Sequence, residues 1–451
     1  MLELERGDLM KTVIIGGVAA GMSAASKLKR LDKNNEIFVF EKGNVLSYGA
    51  CGMPYYISGE ITNAKKLIAR TKKDFEDKGI TVFTKHEVIK LNELDKQILV
   101  RDLISEKDIL VNYDNLVIAT GASPIKLQIP GKDLTNIFSL SEYEDALKIK
   151  EYINNGVKDI VIVGAGFIGV ELVEAFNTLG LHITLIEYND QILNLFDKDI
   201  TDYLEDHLKE NQINVRTKET VLEYKIENGV TYVLTDKGKY KADMIIESVG
   251  VRPNTKFTSN TSIKLAKNGA IIVDENMMTS VKDIYSGGDC SLIFNKALNQ
   301  NTYIPMGHNA NKQGRIIAQS IMNEENNFEG VLGTTVIKVI NMEAAKTGLT
   351  EKDAIKIGAS YRTVTAKGKN HAGYYPNATM TTVKVIYDPL NYKILGAEIV
   401  GYKDSAIRID IFAVAIHAGL TTKQLGFIDL AYAPPFASVW DITQVAANIA
   451  K

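Results

Sequence analysis

The sequence is poor in cysteine, with Cys51 and Cys290 as the two cysteines among its 451 residues. Two cysteines so far apart do not form the disulfide framework of a secreted domain, so we expect a reducing, cytoplasmic location. The sequence also lacks an apolar run of about 18 residues, so no membrane-spanning helix is predicted. Residues 1–9 lack the apolar core of a signal peptide, and we interpret them as a loosely ordered extension.

An excess of either charge is also missing. The chain has 52 Lys and Arg against 55 Asp and Glu, which gives a formal net charge of −3. This balance gives no electrostatic reason to expect a nucleic-acid partner or an anionic membrane surface. We predict no metal site. The length permits two to four domains with sizeable cores.

A first nucleotide-binding pattern lies near the start of the chain. The run Val13–Ile15 ends in a glycine turn, a helix of small residues is predicted over 22–31, and the strand 37–40 ends at an acid. In a Rossmann unit the pyrophosphate lies at the helix N-terminus and the acid binds ribose hydroxyls; the alternative is a plain βαβ packing turn. The turn departs from G-x-G-x-x-G because Val18 replaces the second glycine. The candidate cofactor-binding residues are Gly16, Val18, Ala19, Ala20, Gly21, Glu41 and Lys42.

The same pattern returns about 150 residues later in complete form. The strand 160–163 enters a G-x-G-x-x-G turn, a helix is predicted over 170–179, and the strand 183–186 ends at Glu187. Two such units predict two dinucleotides, whereas the alternative is a duplicated α/β domain without cofactors. Glu187 and its neighbours favour NADH over NADPH, because a carboxylate repels a 2′-phosphate. The candidate residues are Gly164, Gly166, Phe167, Ile168, Gly169 and Glu187.

Cys51 lies between these two units in the segment Ser47–Tyr56. Gly49 and Gly52 flank it and allow the backbone to approach a flat ligand. Pro54 suits the first turn of a helix, and a thiol just ahead of a helix N-terminus is expected to ionise more easily. This pattern indicates a redox or nucleophilic cysteine, and the alternative is a buried cysteine that acts as a small hydrophobe.

The composition changes after Gly333, where the sequence predicts a separate α+β domain. Strands are predicted at 334–339, 380–387 and 393–400, and helices at 404–419 and 436–449. The loop at Tyr432 is aromatic and rich in proline, a pattern that is more typical of packing than of chemistry.

These motifs together resemble the two-dinucleotide-binding flavoprotein disulfide reductases, and the resemblance covers the chain from Met10 onward. Within them the chain is similar to the single-cysteine branch of coenzyme A disulfide reductases, NADH oxidases and NADH peroxidases. The resemblance implies an α/β fold with two Rossmann-like domains and a C-terminal α+β dimerisation domain. The implied domains are 10–122 with 254–330 for FAD, 123–253 for NAD(P)H, and 331–451 for dimerisation.

The family's connectors imply further cofactor contacts. An acid at the position of Asp289 holds the flavin ribityl chain, and a helix that begins near Gly307 points its N-terminus at the flavin ring. The candidate residues that the connectors add are Thr120, Gly121, Gly250, Asp289 and Ala310. A single cysteine cannot close an internal disulfide, so it cycles as a mixed disulfide with a small thiol or as a sulfenic acid.

Three features resemble the coenzyme A branch. Ala19 stands where the oxidases and peroxidases have a histidine, Cys-Gly-Met-Pro-Tyr-Tyr resembles the cysteine motif of the coenzyme A enzymes, and the tail segments that hold Tyr374 and Tyr432 resemble those that supply two tyrosines to the sulfur of the partner subunit. Lys27, Arg30 and Ser47 fall where that family contacts coenzyme A, whereas Ala50 departs from a common asparagine.

The resemblance therefore implies a homodimer with shared active sites that reduces coenzyme A disulfide, or a coenzyme A persulfide or polysulfide. Electrons pass from NADH, with NADPH as the alternative donor, through FAD to a mixed disulfide of Cys51 and coenzyme A. Cys51, Tyr432 and Tyr374 are the predicted catalytic residues. An NADH oxidase that reduces oxygen is the alternative function, and a redox-sensing flavoprotein is a third.

Overall fold

The computed structural model describes residues 10–326 and 328–451, so the interpretation of residues 1–9 lies outside the described residues. Its first part begins with a buried strand, and every residue of that strand is buried because it runs through the middle of a parallel sheet. In chain order the elements are β1 (Lys11–Ile15), α1 (Ala19–Leu31), β2 (Glu36–Glu41), α2 (Met53–Ser58), α3 (Lys72–Glu76), β3 (Ile80–Thr84), β4 (His86–Asn92), β5 (Gln97–Asp102), β6 (Asp108–Asn112), β7 (Asn115–Ile118) and β8 (Ala122–Pro124).

The second part repeats the strand–turn–helix–strand arrangement, and a later segment returns to the first part. The elements are β9 (Ile137–Phe138), α4 (Tyr143–Ile153), β10 (Asp159–Val163), α5 (Phe167–Thr178), β11 (His182–Ile186), α6 (Lys198–Glu210), β12 (Asn214–Arg216), β13 (Val221–Glu227), β14 (Val230–Thr235), β15 (Lys239–Lys241), β16 (Met244–Glu247), β17 (Val251–Pro253), β18 (Ile284–Ser286), β19 (Ile293–Asn295), β20 (Gln300–Thr302) and α7 (Gly307–Ile321). The strand order is β18-β7-β1-β2-β3 in the first parallel sheet and β12-β11-β10-β16-β9 in the second.

The chain crosses between these two sheets at two points that lie side by side. Strands β8 and β17 pair in antiparallel fashion, with Arg252 opposite Ser123. The Asn254 side chain donates to Thr120 O at 3.1 Å, and the Thr120 hydroxyl donates to Asn254 O at 2.7 Å. The connectors predicted at Thr120 and at Gly250 therefore form one paired structure.

The C-terminal part has a mixed α+β arrangement with an antiparallel sheet, in the order β21-β22-β25-β24-β23. Its helices pack on that sheet around buried residues such as Phe412 and Leu425. The elements are β21 (Thr335–Val339), β22 (Met342–Gly348), α8 (Glu351–Ile357), β23 (Arg362–Lys369), β24 (Met380–Tyr387), β25 (Ile394–Gly401), α9 (Ile409–His417), α10 (Thr422–Leu425) and α11 (Ile442–Asn448). Among residues 10–326 and 328–451, no helix has both the length and the apolar character needed to cross a bilayer.

Two helix predictions in this part are wrong at their starts. The helix predicted over 436–449 begins at Ile442, because Asp441 caps it by accepting from Thr443 N at 2.9 Å. The helix predicted over 404–419 begins with a short 3₁₀ turn, and its regular part starts at Ile409. The predicted strand 380–387 matches β24.

A buried charged cluster joins the second part to the C-terminal part. Lys384 Nζ lies 3.1 Å from Asp197 Oδ2, 2.9 Å from Asp199 Oδ1 and 3.0 Å from Glu351 Oε2. Asp197 N donates to Glu398 Oε1 at 2.9 Å, while Oε2 of the fully buried Glu398 receives no donor from the described residues. Burial, together with the charge of Asp197, raises the pKa of Glu398 well above its ordinary value.

We expect Glu398→Gln to become more stable relative to the wild-type protein as the pH rises above about 4.5. The unfolded chain releases the Glu398 proton near 4.5, whereas the folded protein retains it, so the folded state binds more protons and the free energy of unfolding falls as pH rises. Gln keeps the shape of the Glu398 side chain but does not titrate. The dependence of unfolding on proton binding at this position is therefore lost. Urea unfolding of both proteins between about pH 5 and pH 8 measures the difference, with exposed Glu151→Gln as the control. A pH-independent difference would contradict the protonated state of Glu398.

Candidate active site

A cleft of about 2420 Å³ runs between the three parts, and Cys51 lines it. Most of the predicted cofactor-binding residues lie in its wall, namely Gly16, Val18, Ala19, Ala20, Glu41, Lys42, Thr120, Gly121, Gly164, Gly166, Phe167, Ile168, Glu187, Gly250, Asp289 and Ala310. Gly21, Gly169, Lys27, Arg30, Ser47, Tyr374 and Tyr432 do not line it. Both glycine turns and the Cys51 thiol therefore line the same cleft.

The first glycine turn is held by the acid at the end of β2. Gly17 N donates to Glu41 Oε2 at 2.7 Å, and Gly43 N donates to Oε1 at 2.6 Å. Gly16 has φ +106°, and a Cβ there would lie 2.1 Å from Ala119 O. The position therefore requires glycine both for its backbone conformation and for its space.

The second glycine turn has the same construction. Ala165 N donates to Glu187 Oε2 at 2.7 Å, and Asn189 N donates to Oε1 at 2.8 Å. Gly164 has φ +101°, and a Cβ there would lie 2.5 Å from Ser248 O. The two units thus place an acid, a turn and a helix N-terminus in the same relation.

The remaining turn positions explain why the first motif can depart from the pattern. Val18 has φ −111° and Gly166 has φ −75°, so neither backbone needs glycine. Gly21 and Gly169 pack behind the turns, where a Cβ would lie 2.0 Å from Gly16 O and 2.1 Å from Gly164 O. These two glycines allow close helix–strand packing and do not face the cleft.

Three helices present free N-termini near the cleft. The described side chains provide no cap for α1 at Val18, for α5 at Gly166 or for α7 at Met306. Free N–H groups and the positive end of the helix dipole favour an anion or an electron-rich ring. The cleft therefore fits two dinucleotides. Asp289 and Ala310 lie in its wall near the first glycine turn.

Cys51 lies in a 3₁₀ turn, Ala50–Gly52, that leads directly into α2. Pro54 occupies the first turn of α2, as the sequence predicts, and Gly49 N donates to Leu67 O at 2.8 Å. Cys51 is exposed, whereas Cys290 is fully buried with its Sγ 3.4 Å from Ile118 O. Cys51 is accordingly open to reagents in the cleft, and Cys290 is enclosed in the core of the first part.

The expected easy ionisation of Cys51 is wrong. The thiol opens to the cleft, but the surrounding protein atoms and the nearby Glu171 raise its pKa, and the six-residue helix α2 does not offset them. Burial and the neighbouring Glu174 in turn raise the pKa of Glu171 to about 7. Sequence reasoning misses Glu171, because its place two residues after Gly169 does not reveal that it faces the thiol.

The two predicted tyrosines meet each other on the C-terminal part. Tyr374 Oη and Tyr432 Oη lie 3.4 Å apart, and this hydrogen bond raises the pKa of Tyr374. The buried Arg408 connects their loops, because its guanidinium donates to Phe436 O at 2.9 Å and to Asn370 O.

Asp441 holds this guanidinium in place by accepting from Arg408 Nε at 2.8 Å. The arrangement fixes the tyrosine loops as a unit outside the cleft of their own chain. The sequence alone does not predict this role for Arg408.

Lys27, Arg30 and Ser47, the candidate coenzyme A contacts, lie outside the wall of the cleft. Ser47 N donates to Gly17 O at 3.0 Å, and Ala69 N donates to Ser47 O at 2.8 Å. Lys27 and Arg30 occupy the second half of α1, and Lys27 lies 3.9 Å from Glu324. Ser47 therefore joins the cysteine loop to the first glycine turn, whereas Lys27 and Arg30 lie on the helix that follows this turn.

An accessible thiol beside two dinucleotide sites defines an oxidoreductase that transfers electrons between a nicotinamide, a flavin and sulfur. Residues 10–314 match the family model for pyridine nucleotide-disulphide oxidoreductases, and residues 334–442 match that family's dimerisation domain. The chain belongs to this family. The predicted fold class is confirmed, and the predicted cofactors, FAD and NAD(P)H, are those of the family.

Several relatives are similar over nearly the whole chain. The chain is 38% identical to a NAD(P)H coenzyme A polysulfide/persulfide reductase of Pyrococcus horikoshii, over 98% of each chain, and 33% identical to a coenzyme A disulfide reductase of Staphylococcus aureus, over 98% of this chain and 100% of that one. The reduced CoADR-RHD structure of Bacillus anthracis has a TM-score of 0.94 at 34% identity, covering 99% of this chain and 81% of that one. A water-forming NADH oxidase of Lactobacillus brevis also has a TM-score of 0.94, at 27% identity over 97% of each chain.

We expect Glu171→Gln to shift alkylation of Cys51 by iodoacetamide to lower pH. The thiolate is the reactive form, and removing this carboxylate removes the charge that raises the thiol pKa alongside burial. Peptide mass spectrometry of the reduced holoenzyme across a pH series gives the midpoint, with buried Cys290 as an internal reference. Glu144→Gln is the matched control, because Glu144 lines the same cleft. An unchanged midpoint in Glu171→Gln would show that its charge does not act on Cys51.

Proposed function

We propose that this protein reduces coenzyme A disulfide, or a coenzyme A persulfide or polysulfide, with NADH through a mixed disulfide on Cys51. The observation that carries the proposal is the isolation of the Cys51 thiol. It is exposed in the cleft, and the other cysteine of the chain is buried in the first core. A thiol without an internal partner needs an external thiol to complete a disulfide cycle.

The relatives support coenzyme A as that external thiol, since the Pyrococcus and Staphylococcus proteins carry it in their names. The overall fold does not separate this function from an NADH oxidase, because the Lactobacillus oxidase has the same TM-score as the Bacillus protein. Ala19 favours the coenzyme A function. It lines the cleft at the start of α1, and its methyl group cannot exchange a proton with a peroxide as a histidine there would.

The reaction requires two electrons for each disulfide, and FAD with NADH supplies them when bound at the two glycine turns. The Cys51 thiolate attacks one sulfur of the substrate disulfide, forms a Cys51–S–S–R bond and releases the other sulfur as a thiolate. Two electrons then break the mixed disulfide, release the second thiol and restore the Cys51 thiolate. The balance is one disulfide, one NADH and one proton consumed for two thiols and NAD⁺.

Protonation of the leaving thiolate falls to the tyrosine pair of a second subunit in this proposal. Tyr374 and Tyr432 lie outside the cleft of their own chain, next to exposed apolar side chains such as Phe436 and Trp440. Residues 334–442 match a dimerisation domain, which favours a homodimer in which this surface meets the partner's Cys51 side. We further propose that the enzyme works in the reducing cytoplasm, where free thiols persist.

We expect Cys51→Ser to lose coenzyme A disulfide reduction by about a thousandfold or more, because a hydroxyl cannot form the mixed disulfide. Reduction of the bound FAD by NADH should persist, since that step does not use the thiol. Anaerobic stopped-flow absorbance measures FAD reduction, and intact mass under non-reducing denaturing conditions detects a coenzyme A adduct on the wild-type chain.

Cys290→Ala is the matched control, and it should retain both the adduct and turnover. Disulfide reduction by Cys51→Ser at the wild-type rate would refute the proposal. An oxidised wild-type chain with a sulfenic acid in place of the adduct, together with NADH-dependent oxygen consumption, would favour the oxidase.

We expect Tyr432→Phe to slow disulfide reduction about tenfold to a thousandfold, because it removes one proton donor while it keeps the ring. A mixed dimer of one Cys51→Ser chain and one Tyr432→Phe chain then tests the shared site. If Tyr432 serves the partner's thiol, both lesions fall in one site and about half the wild-type activity remains in the other. Near-complete loss of activity would place Tyr432 with its own Cys51 and reject the shared arrangement.

A further inference from the structure

The segment Ala64–Arg70 is fixed against the loop that carries the thiol. Gly49 N donates to Leu67 O, and Ala69 N donates to Ser47 O, each at 2.8 Å. Cys51 follows Gly49 by two residues, and Arg70 directly follows Ala69. The backbone pairing therefore lies between the thiol and Arg70. A backbone pairing, rather than sequence proximity, therefore brings Arg70 to the thiol side of the first part.

The Arg70 side chain reaches from this segment to helix α1. Its Nη1 lies 3.5 Å from Ser26 Oγ, and its Cζ lies 5.9 Å from the centre of the Phe75 ring. Phe75 is buried, so the ring is a fixed support for the guanidinium. Ser26 adjoins Lys27 and lies one helical turn before Arg30, so the three cations occupy neighbouring positions.

These cations have charge available for an anion. Among residues 10–326 and 328–451, no carboxylate forms an ion pair with Arg70 or Arg30, and the Lys27 pair with Glu324 is long at 3.9 Å. The nearby Asp74 carboxylate accepts from Thr71 N and Thr71 Oγ1 at 2.7 Å; it attracts Arg70 electrostatically, but it does not form an ion pair with it. An exposed guanidinium with free donors is suited to bidentate contacts with phosphate.

We infer that Arg70 binds a phosphate of the nucleotide end of the substrate, together with Lys27 and Arg30, and that it selects coenzyme A disulfide over disulfides without phosphate. This inference rests on the proposed function. Ser47 bonds to the glycine turn and to Ala69, which precedes Arg70, so a substrate whose sulfur meets Cys51 can extend past Ser47 toward the cations. Arg70 would then act on substrate affinity and have no part in the chemistry at sulfur.

The test compares two disulfides on the holoenzyme, coenzyme A disulfide and pantethine, which lacks the 3′-phosphate and the diphosphate. We expect Arg70→Ala to lower the ratio of kcat/KM for coenzyme A disulfide to that for pantethine by about tenfold to a hundredfold, mainly through KM. Arg70→Lys should recover part of this ratio, because it restores the charge without the fork. Arg101→Ala is the control, since Arg101 is an exposed arginine in a separate sheet that pairs with Asp108.

A wild-type ratio in Arg70→Ala, or an equal loss on both disulfides, would overturn the inference. Calorimetric binding of adenosine 3′,5′-bisphosphate gives a second readout that needs no turnover. If the wild-type enzyme reduces neither disulfide, the proposed function fails, and this binding still decides the role of Arg70. An affinity lowered about tenfold or more in Arg70→Ala supports the phosphate site, and an unchanged affinity rejects it.

Discussion

The hydrogen bond from a turn N–H to the acid at the end of the second strand is the interaction on which both cofactor sites depend. Glu41 accepts from Gly17 N and Glu187 accepts from Ala165 N, each at 2.7 Å. These bonds connect the turn to the neighbouring strand and leave the helix N-terminus free, because the described side chains do not cap it. A charged acceptor makes such bonds strong and fixes their geometry.

Charged groups at the junctions between the parts hold the rest of the site in position. Lys384 joins the second part to the C-terminal part through three carboxylates, and Lys338 Nζ lies 2.5 Å from Glu174 on α5. Arg408 joins the two tyrosine loops and is paired with Asp441. Breaking a buried pair such as Arg408 with Asp441 typically costs about 3–5 kcal/mol, so Arg408 holds the tyrosine loops in position.

The sequence predicts the features that a local motif encodes. The turns at Gly16 and Gly164 and their acids follow from spacing, since the strand, turn and helix are contiguous in the chain. Glu171, Arg70 and Arg408 do not follow from spacing, because backbone pairing and helix orientation bring them to their sites. The helix predicted from 436 starts too early because Asp441 caps the helix and fixes its start at Ile442. The Cys51 pKa has the opposite direction because burial and a carboxylate distant in sequence outweigh a short helix.

The pairing of β8 with β17 has a consequence for the modularity of this enzyme. The chain leaves the first part at Ala122 and returns to it at Pro253, and these two residues are directly opposite each other. The segment between them is therefore connected covalently to the first part at one place, through the paired strands β8 and β17. Replacing it with the corresponding segment of a relative would need no new connection, but it would also replace Glu171 and the core residues that pack against α2 beside the thiol. The second glycine turn and the surroundings of the thiol would therefore change together.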